Sequence, residues 1–274
     1  MSLLSTLPGS GRVYLPEQEI LNQEIYRDVS YGNDPRQKMD IFLPEGRTDS
    51  STNVLIVIHG GGWNSGSKED FIPYIDSFRK RMPRFAIFNL NYRLYNGSNI
   101  FPAQEEDVKL ALKYITSKAS GFHITKKIVL LGASAGAHLA LLQAYKYKDP
   151  SIAAVIDFFG PSDLVAMYEK PWHPFVPHAL EMVTGSTLSK NRDLYKNSSP
   201  ATFINPASAP TLIFHGSNDP IVDVSQSKLL QKKLDSAGVK NELVVYPGQR
   251  HGWYGNTLSN SFDRIESFLK ATLK

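Results

Sequence analysis

The sequence predicts an α/β fold in which a mostly parallel central sheet is flanked by helices and carries a short cap insertion. Three observations lead there. Continuous apolar runs recur at 54–58, 85–92, 128–131, 152–159, 211–214 and 243–246, the pattern of strands covered on both faces. Amphipathic helical stretches lie between strands, and strands joined through helices run parallel with right-handed crossovers. The chain has 274 residues, 42% hydrophobic and 20% charged. A chain of that size buries about 70% of its surface and needs neither disulfides nor a structural metal.

In chain order, two early strands are expected at 24–31 and 38–43, the second alternating apolar and polar residues. Pro102 opens a helix in which Val108, Ala111, Leu112 and Ile115 recur at i, i+3, i+4 and i+7. The stretch 128–145 is 18 residues without Asp, Glu, Lys or Arg, the lower length limit for a membrane-spanning helix. Gly132, Ser134 and Gly136 interrupt it, so it reads as a buried strand followed by a buried helix. A helix at 225–237 sets Leu230, Leu234 and Ala237 on one face and stops at Gly238. The last helix aligns Phe262, Ile265, Leu269 and Leu273. The alternation fails between 161 and 210, where seven prolines accompany Tyr168, Trp172 and Phe175. Structureless segments of this length are uncommon unless functional, so 161–210 is read as a cap over the C-terminal edge of the sheet, within a single domain spanning 1–274.

Composition excludes several functions. There is no cysteine, hence no thiolate metal site, Fe–S cluster or cysteine nucleophile, and no metal or organic cofactor is expected. The net charge of +4 comes from scattered residues. Clusters such as Arg79-Lys80-Arg81 and Lys232-Lys233 lie in helix-like, mixed-charge stretches, so no nucleic-acid surface is expected. Met1-Ser2-Leu3-Leu4 lacks the charged and apolar regions of a signal peptide. This leans toward a cytoplasmic location, with a secreted or periplasmic one open if a leader has been removed. The expected state is a monomer or homodimer without a membrane span.

The chemistry rests on four segments. Gly132-Ala133-Ser134-Ala135-Gly136 is a G-x-S-x-G between a strand and a helix, where a serine on a strained turn exposes its hydroxyl. The other reading is a tightly packed glycine turn. His59-Gly60-Gly61-Gly62-Trp63 follows the 54–58 strand, and three glycines allow backbone N–H groups to approach a ligand closely. Two phosphate-loop lookalikes fail here. Gly60, Gly62 and Gly66 have the wrong third spacing for a dinucleotide fingerprint, and Ser67-Lys68 reverses the order that a P-loop requires. A serine nucleophile needs a base and an orienting acid. Of seven histidines, His251 in the loop after the 243–246 strand is best placed as base. Asp219, after the 211–214 strand, is the better acid, with Asp223 as competitor. Trp63, Trp172 and Phe175 are candidate walls of a substrate pocket, although aromatics in a cap also serve as core.

These residues resemble the α/β-hydrolase fold of the carboxylesterase/lipase superfamily, close to its hormone-sensitive-lipase-like and HGGGW-type esterases. The resemblance runs from Lys38 to the C-terminus. Besides the segments above it rests on Asn91-Tyr92-Arg93-Leu94, Phe101-Pro102-Ala103 with Asp107, and His138-Leu139-Ala140. It implies a Ser134–His251–Asp219 triad, with the backbone N–H groups of Gly61, Gly62 and Ala135 as oxyanion donors. It also implies a serine esterase acting through an acyl-enzyme on small soluble esters, with short acyl chains or acetylated or feruloylated sugars. A kynurenine-formamidase-like arylformamidase is the enzymatic alternative, and a ligand-binding protein on an inactive scaffold the non-enzymatic one. Two departures stand out: Tyr95-Asn96-Gly97-Ser98-Asn99 replaces an acidic, proline-bearing stretch, and Ala137 stands where relatives often have glycine.

Overall fold

The structure, a computed structural model, describes residues 21–273; the reading of Met1-Ser2-Leu3-Leu4 lies outside them. Eight strands, β1 (Glu24–Ser30), β2 (Lys38–Leu43), β3 (Asn53–Ile58), β4 (Phe85–Leu90), β5 (Ile128–Ala133), β6 (Ile152–Phe158), β7 (Thr211–Gly216) and β8 (Asn241–Tyr246), form one sheet. Their order is β1-β2-β4-β3-β5-β6-β7-β8. β2 is antiparallel to both neighbours, and every pairing from β4 to β8 is parallel. The C-terminal ends of β3 to β8 therefore share one edge, where ligands of open α/β sheets bind.

Burial on both faces explains the continuous apolar runs. Val54 and Ile56 of β3 and Ile128 and Leu130 of β5 pack on one face with α2 (Ala103–Ser117), α4 (Ala135–Lys146) and α8 (Ser225–Ser236). Leu55, Val57, Val129 and Leu131 face the other way, onto α1 (Ile72–Arg81) and α9 (Gly255–Thr272). The predicted helical stripes are the buried ones: Val108, Ala111, Leu112 and Ile115 on α2, Leu230 and Leu234 on α8, and Phe262, Ile265 and Leu269 on α9. A short α3 (Ala119–Phe122) follows α2. The uncharged 128–145 stretch divides into β5 and α4, and no helix among the described residues is long and apolar enough to cross a membrane.

Strand ends shift by a few residues for local reasons. β4 stops at Leu90, because Tyr92 leaves the ladder and donates its hydroxyl to the His59 and Gly60 carbonyls. Arg93 then locks the segment onto α2 through an ion pair of 2.6 Å with the buried Asp107, which also accepts from Gln37. This explains the Asn-Tyr-Arg-Leu motif as scaffolding. β7 runs on to Gly216, which puts His215 inside the strand.

The 161–210 segment is ordered. It holds α5 (Leu164–Glu169), α6 (Val176–Thr184), α7 (Arg192–Asn197) and a 3₁₀ turn at Pro200–Thr202. Leu164, Met167, Leu180, Val183, Leu188 and Tyr195 are buried in the same cluster as α2 and α4. Its short helices were missed because frequent prolines cut the helical period to one or two turns.

Candidate active site

Ser134 joins β5 directly to α4. The turn forces φ 54° and ψ −120° on it, a conformation that costs a non-glycine residue on the order of 1–3 kcal/mol. Its N–H is tied to the Phe158 carbonyl at 2.8 Å and its carbonyl to the His138 N–H at 3.1 Å. The crowding predicted around it is real. A Cβ on Gly132 would lie 2.3 Å from the Gly136 carbonyl carbon, and one on Gly136 2.1 Å from the Ile58 oxygen. Ala137, one of the departures, is accommodated by Gly160, whose Cβ would come within 2.8 Å of the Ala137 methyl group.

The glycine turn after β3 abuts the serine: a Cβ on Gly60 would stand 3.3 Å from Ser134 Cβ. Gly61 has φ 101° and packs so tightly on Ser65 that a Cβ would fall 2.2 Å from its carbonyl oxygen. Among the described residues, the N–H groups of Gly61, Gly62 and Ala135 donate no hydrogen bond, so they remain available to an anion. The turn is held from beneath. His59 is fully buried, stacks on Tyr92 at 4.3 Å, and donates Nδ1–H to the Gly60 carbonyl at 2.7 Å. Burial pulls its imidazole down to about 4, so it is neutral at physiological pH. Arg36 donates to the Gly66 carbonyl at 2.8 Å.

The loops after β7 and β8 meet at the same edge. His251 Nδ1 lies 2.6 Å from Asp219 Oδ2; the Asp219 side chain is wholly buried and that of His251 is 20% exposed. Asp219 Oδ1 accepts from the backbone N–H groups of Ile221 and Val222 at 2.8 and 3.0 Å. Burial alone would raise the carboxyl, but the His215 and His251 hydrogen bonds hold it well below the usual carboxylate range. Asp223 instead accepts from Ser225 N–H in the turn that leads into α8. Phe158 and Phe159 connect the two halves: one carbonyl holds Ser134, and the other residue's ring packs 4.4 Å from His251.

A cavity of about 210 Å³ opens beside His251 between α1 and α9, lined by Tyr74, Phe159, Trp253, Tyr254 and Leu258 and by Gly60 and Ala133. The three aromatics expected as pocket walls lie elsewhere. Trp63 is buried behind the glycine turn against Phe101 and His138. Trp172 is half-buried and donates to the Pro220 carbonyl, and Phe175 is 71% exposed, stacked on His173. The cavity walls were not legible in sequence because they come from separate places, Tyr74 on α1, Phe159 just after β6, Trp253 and Tyr254 in the loop after β8, and Leu258 on α9. Sequence reasoning also missed His215, which touches Asp219 Oδ2 at 3.3 Å; its place at a strand end was the available signal.

A family model described as BD-FAE matches residues 39–234. Esterase LipC of Mycobacterium tuberculosis is 26% identical over 243 residues, which are 83% of this chain and 59% of LipC. The chain spans little more than half the length of the esterase relatives LipC, LipM and ICME, 59%, 53% and 57% of them. A bifunctional GH43-CE from Bacteroides eggerthii is 27% identical with a TM-score of 0.77, covering 89% of this chain and 38% of that one. A truncated carbohydrate esterase from gut microbiota is 24% identical with a TM-score of 0.77, covering 93% of this chain and 98% of that one. The last likeness shows the α/β-hydrolase fold.

Proposed function

The chain belongs to the BD-FAE family, an α/β-hydrolase esterase family, and on that premise we propose that it is a serine carboxylic-ester hydrolase. The observation that carries the reading is the 2.6 Å hydrogen bond from His251 Nδ1 to the buried Asp219 carboxylate, at the edge where the Ser134 turn and the glycine turn abut. With Nδ1 protonated and donating to Asp219, the Nε2 lone pair is left as the base. His251 takes the Ser134 proton as the serine oxygen attacks the ester carbonyl, and Asp219 stabilises the imidazolium. The carbonyl oxygen, now an anion, is met by the N–H groups of Gly61, Gly62 and Ala135, assisted by the N-terminus of α4. His251 then gives its proton to the departing alcohol. A water deprotonated by the same nitrogen releases the acid from the acyl-enzyme.

The substrates we propose are small soluble esters with short acyl chains, including acetylated or feruloylated sugars. Support comes from the compact aromatic cavity beside His251 and from the name of one structural neighbour, a carbohydrate esterase. The 161–210 segment acts as a cap in this reading, fastened to the acid loop by Trp172 and Pro220. Labelling with a fluorophosphonate probe and hydrolysis of p-nitrophenyl acetate test the assignment. Both should vanish in Ser134→Ala while the circular dichroism spectrum is retained, and substantial residual turnover would refute it. Side-by-side turnover of N-formylkynurenine and acetylated xylo-oligosaccharides separates the amidase alternative.

A further inference from the structure

We infer that His215 and Ser227 are positioning residues for the proposed acid: they form a buried relay, Ser227 to His215 to Asp219, that fixes the carboxylate on His251. The inference rests on the triad reading above but on different atoms. His215 is fully buried near the end of β7, and Ser227 is fully buried in the first turn of α8. His215 Nε2 lies 2.8 Å from the Val222 carbonyl oxygen. A carbonyl only accepts, so Nε2 carries the proton and Nδ1 presents a lone pair. In the neutral ring Ser227 Oγ, 2.6 Å from Nδ1, donates to it. The serine thus fixes the tautomer of His215.

The protonated Nε2 also lies 3.3 Å from Asp219 Oδ2, the same oxygen that receives His251 Nδ1–H at 2.6 Å. The other oxygen is held by the N–H groups of Ile221 and Val222. Both carboxylate oxygens are thus fixed, and the acid loop is pinned to β7 and α8 at once. The titratable groups facing His215 are Asp219 on its own loop, His251 beyond it, and Asp157 on β6. Burial pushes the Asp157 carboxyl up to about 7, and one of its oxygens has no hydrogen-bond partner among the described residues.

The chemical consequence concerns Asp219 Oδ2. The Nε2–H of His215, directed at the Val222 carbonyl, lies 3.3 Å from Oδ2, so the charge on that oxygen is offset by two imidazoles. Without that donor, the charge falls on His251 alone, which binds its proton more tightly, and the carboxylate gains freedom to rotate. The acid limb of the kcat/KM profile should then move to higher pH and kcat should fall. KM should stay near the parent value, since neither His215 nor Ser227 borders the cavity.

The test compares His215→Leu, His215→Gln and Ser227→Ala with the parent, by pH-dependent esterase kinetics and by NMR titration of 15N-labelled His251. His215→Leu should lose roughly 10- to 100-fold in kcat, the scale seen for hydrogen-bonded outer partners of metal-binding histidines. It should also raise the His251 titration midpoint. His215→Gln, whose amide can donate in place of Nε2, should recover much of both, and Ser227→Ala should shift both in the direction of His215→Leu. Unmoved His251 titration in Ser227→Ala, or a loss carried by KM, overturns the relay even if His215→Leu fails to fold. A moved titration in a parent that hydrolyses no ester would keep the relay and discard the esterase reading.

Discussion

Trp63 and His138 tie the glycine turn to the helix behind Ser134: the indole N–H donates to His138 Nδ1 at 3.3 Å, while His138 Nε2–H donates to the Ser198 carbonyl at 2.7 Å. One neutral imidazole thereby connects the turn after β3, α4 and the 161–210 segment. Trp63→Phe keeps most of the ring packing but leaves a buried acceptor unpaired, which costs about 1–3 kcal/mol. Urea unfolding should show that loss. Ester hydrolysis should fall as well, because the turn loses its anchor. Unchanged stability would mean that the indole hydrogen bond contributes nothing.

Protonation of buried histidines should shape stability between pH 4 and 6.5. Burial holds both His59 and His138 down to about 4, below the ordinary value of 6.5. In that window the unfolded chain binds protons that the folded chain refuses, so stability is full above pH 6.5 and falls toward pH 4. Asp157, raised by burial to about 7, works in the opposite direction, since its unfolded form gives up a proton that the folded form keeps. Two protons against one leave a net loss on acidification, on the order of 3 kcal/mol. Unfolding free energies measured at pH 7 and pH 4.5 check the sign, and greater stability at the lower pH would contradict it.

The sheet and its helices were legible because their signal is local: Val54 to Ile58 alternate between two packed faces, and Val108 to Ile115 repeat every turn. The candidates Ser134, Asp219 and His251 stand out in the sequence because each lies within two residues of a glycine or proline near a strand end. Trp63 misled as a pocket wall because an aromatic beside a glycine turn can face either way, and only the partner His138, 75 residues later, decides which. His215 offered only its place at a strand end, and Ser227 offered nothing, since His215 meets Asp219 and Ser227 across a loop and a helix.

Gly160 and Ala137 should behave as a coupled pair. A methyl group at 160 would come within 2.8 Å of the Ala137 Cβ and 2.7 Å of Asp157 Oδ1. Overpacking of this kind costs about 1–3 kcal/mol. Gly160→Ala should therefore destabilise the protein, and adding Ala137→Gly should recover part of the loss. A double-mutant cycle with zero coupling energy would show that the two sites relax independently.

Ser134 combines function with strain, and Ser134→Gly should separate them. The substitution removes the proposed nucleophile, so hydrolysis and fluorophosphonate labelling should disappear. It also removes the Cβ that makes φ 54° and ψ −120° unfavourable, relieving on the order of 1–3 kcal/mol. Against this stands the greater freedom of glycine in the unfolded chain, about 0.4–1 kcal/mol. The relief is the larger, so the inactive variant should unfold at a higher urea concentration than the parent. Ser134→Ala keeps a Cβ and should not gain in this way. Calorimetry of the two variants side by side makes the comparison, and equal melting temperatures would show that the turn stores no strain at this residue.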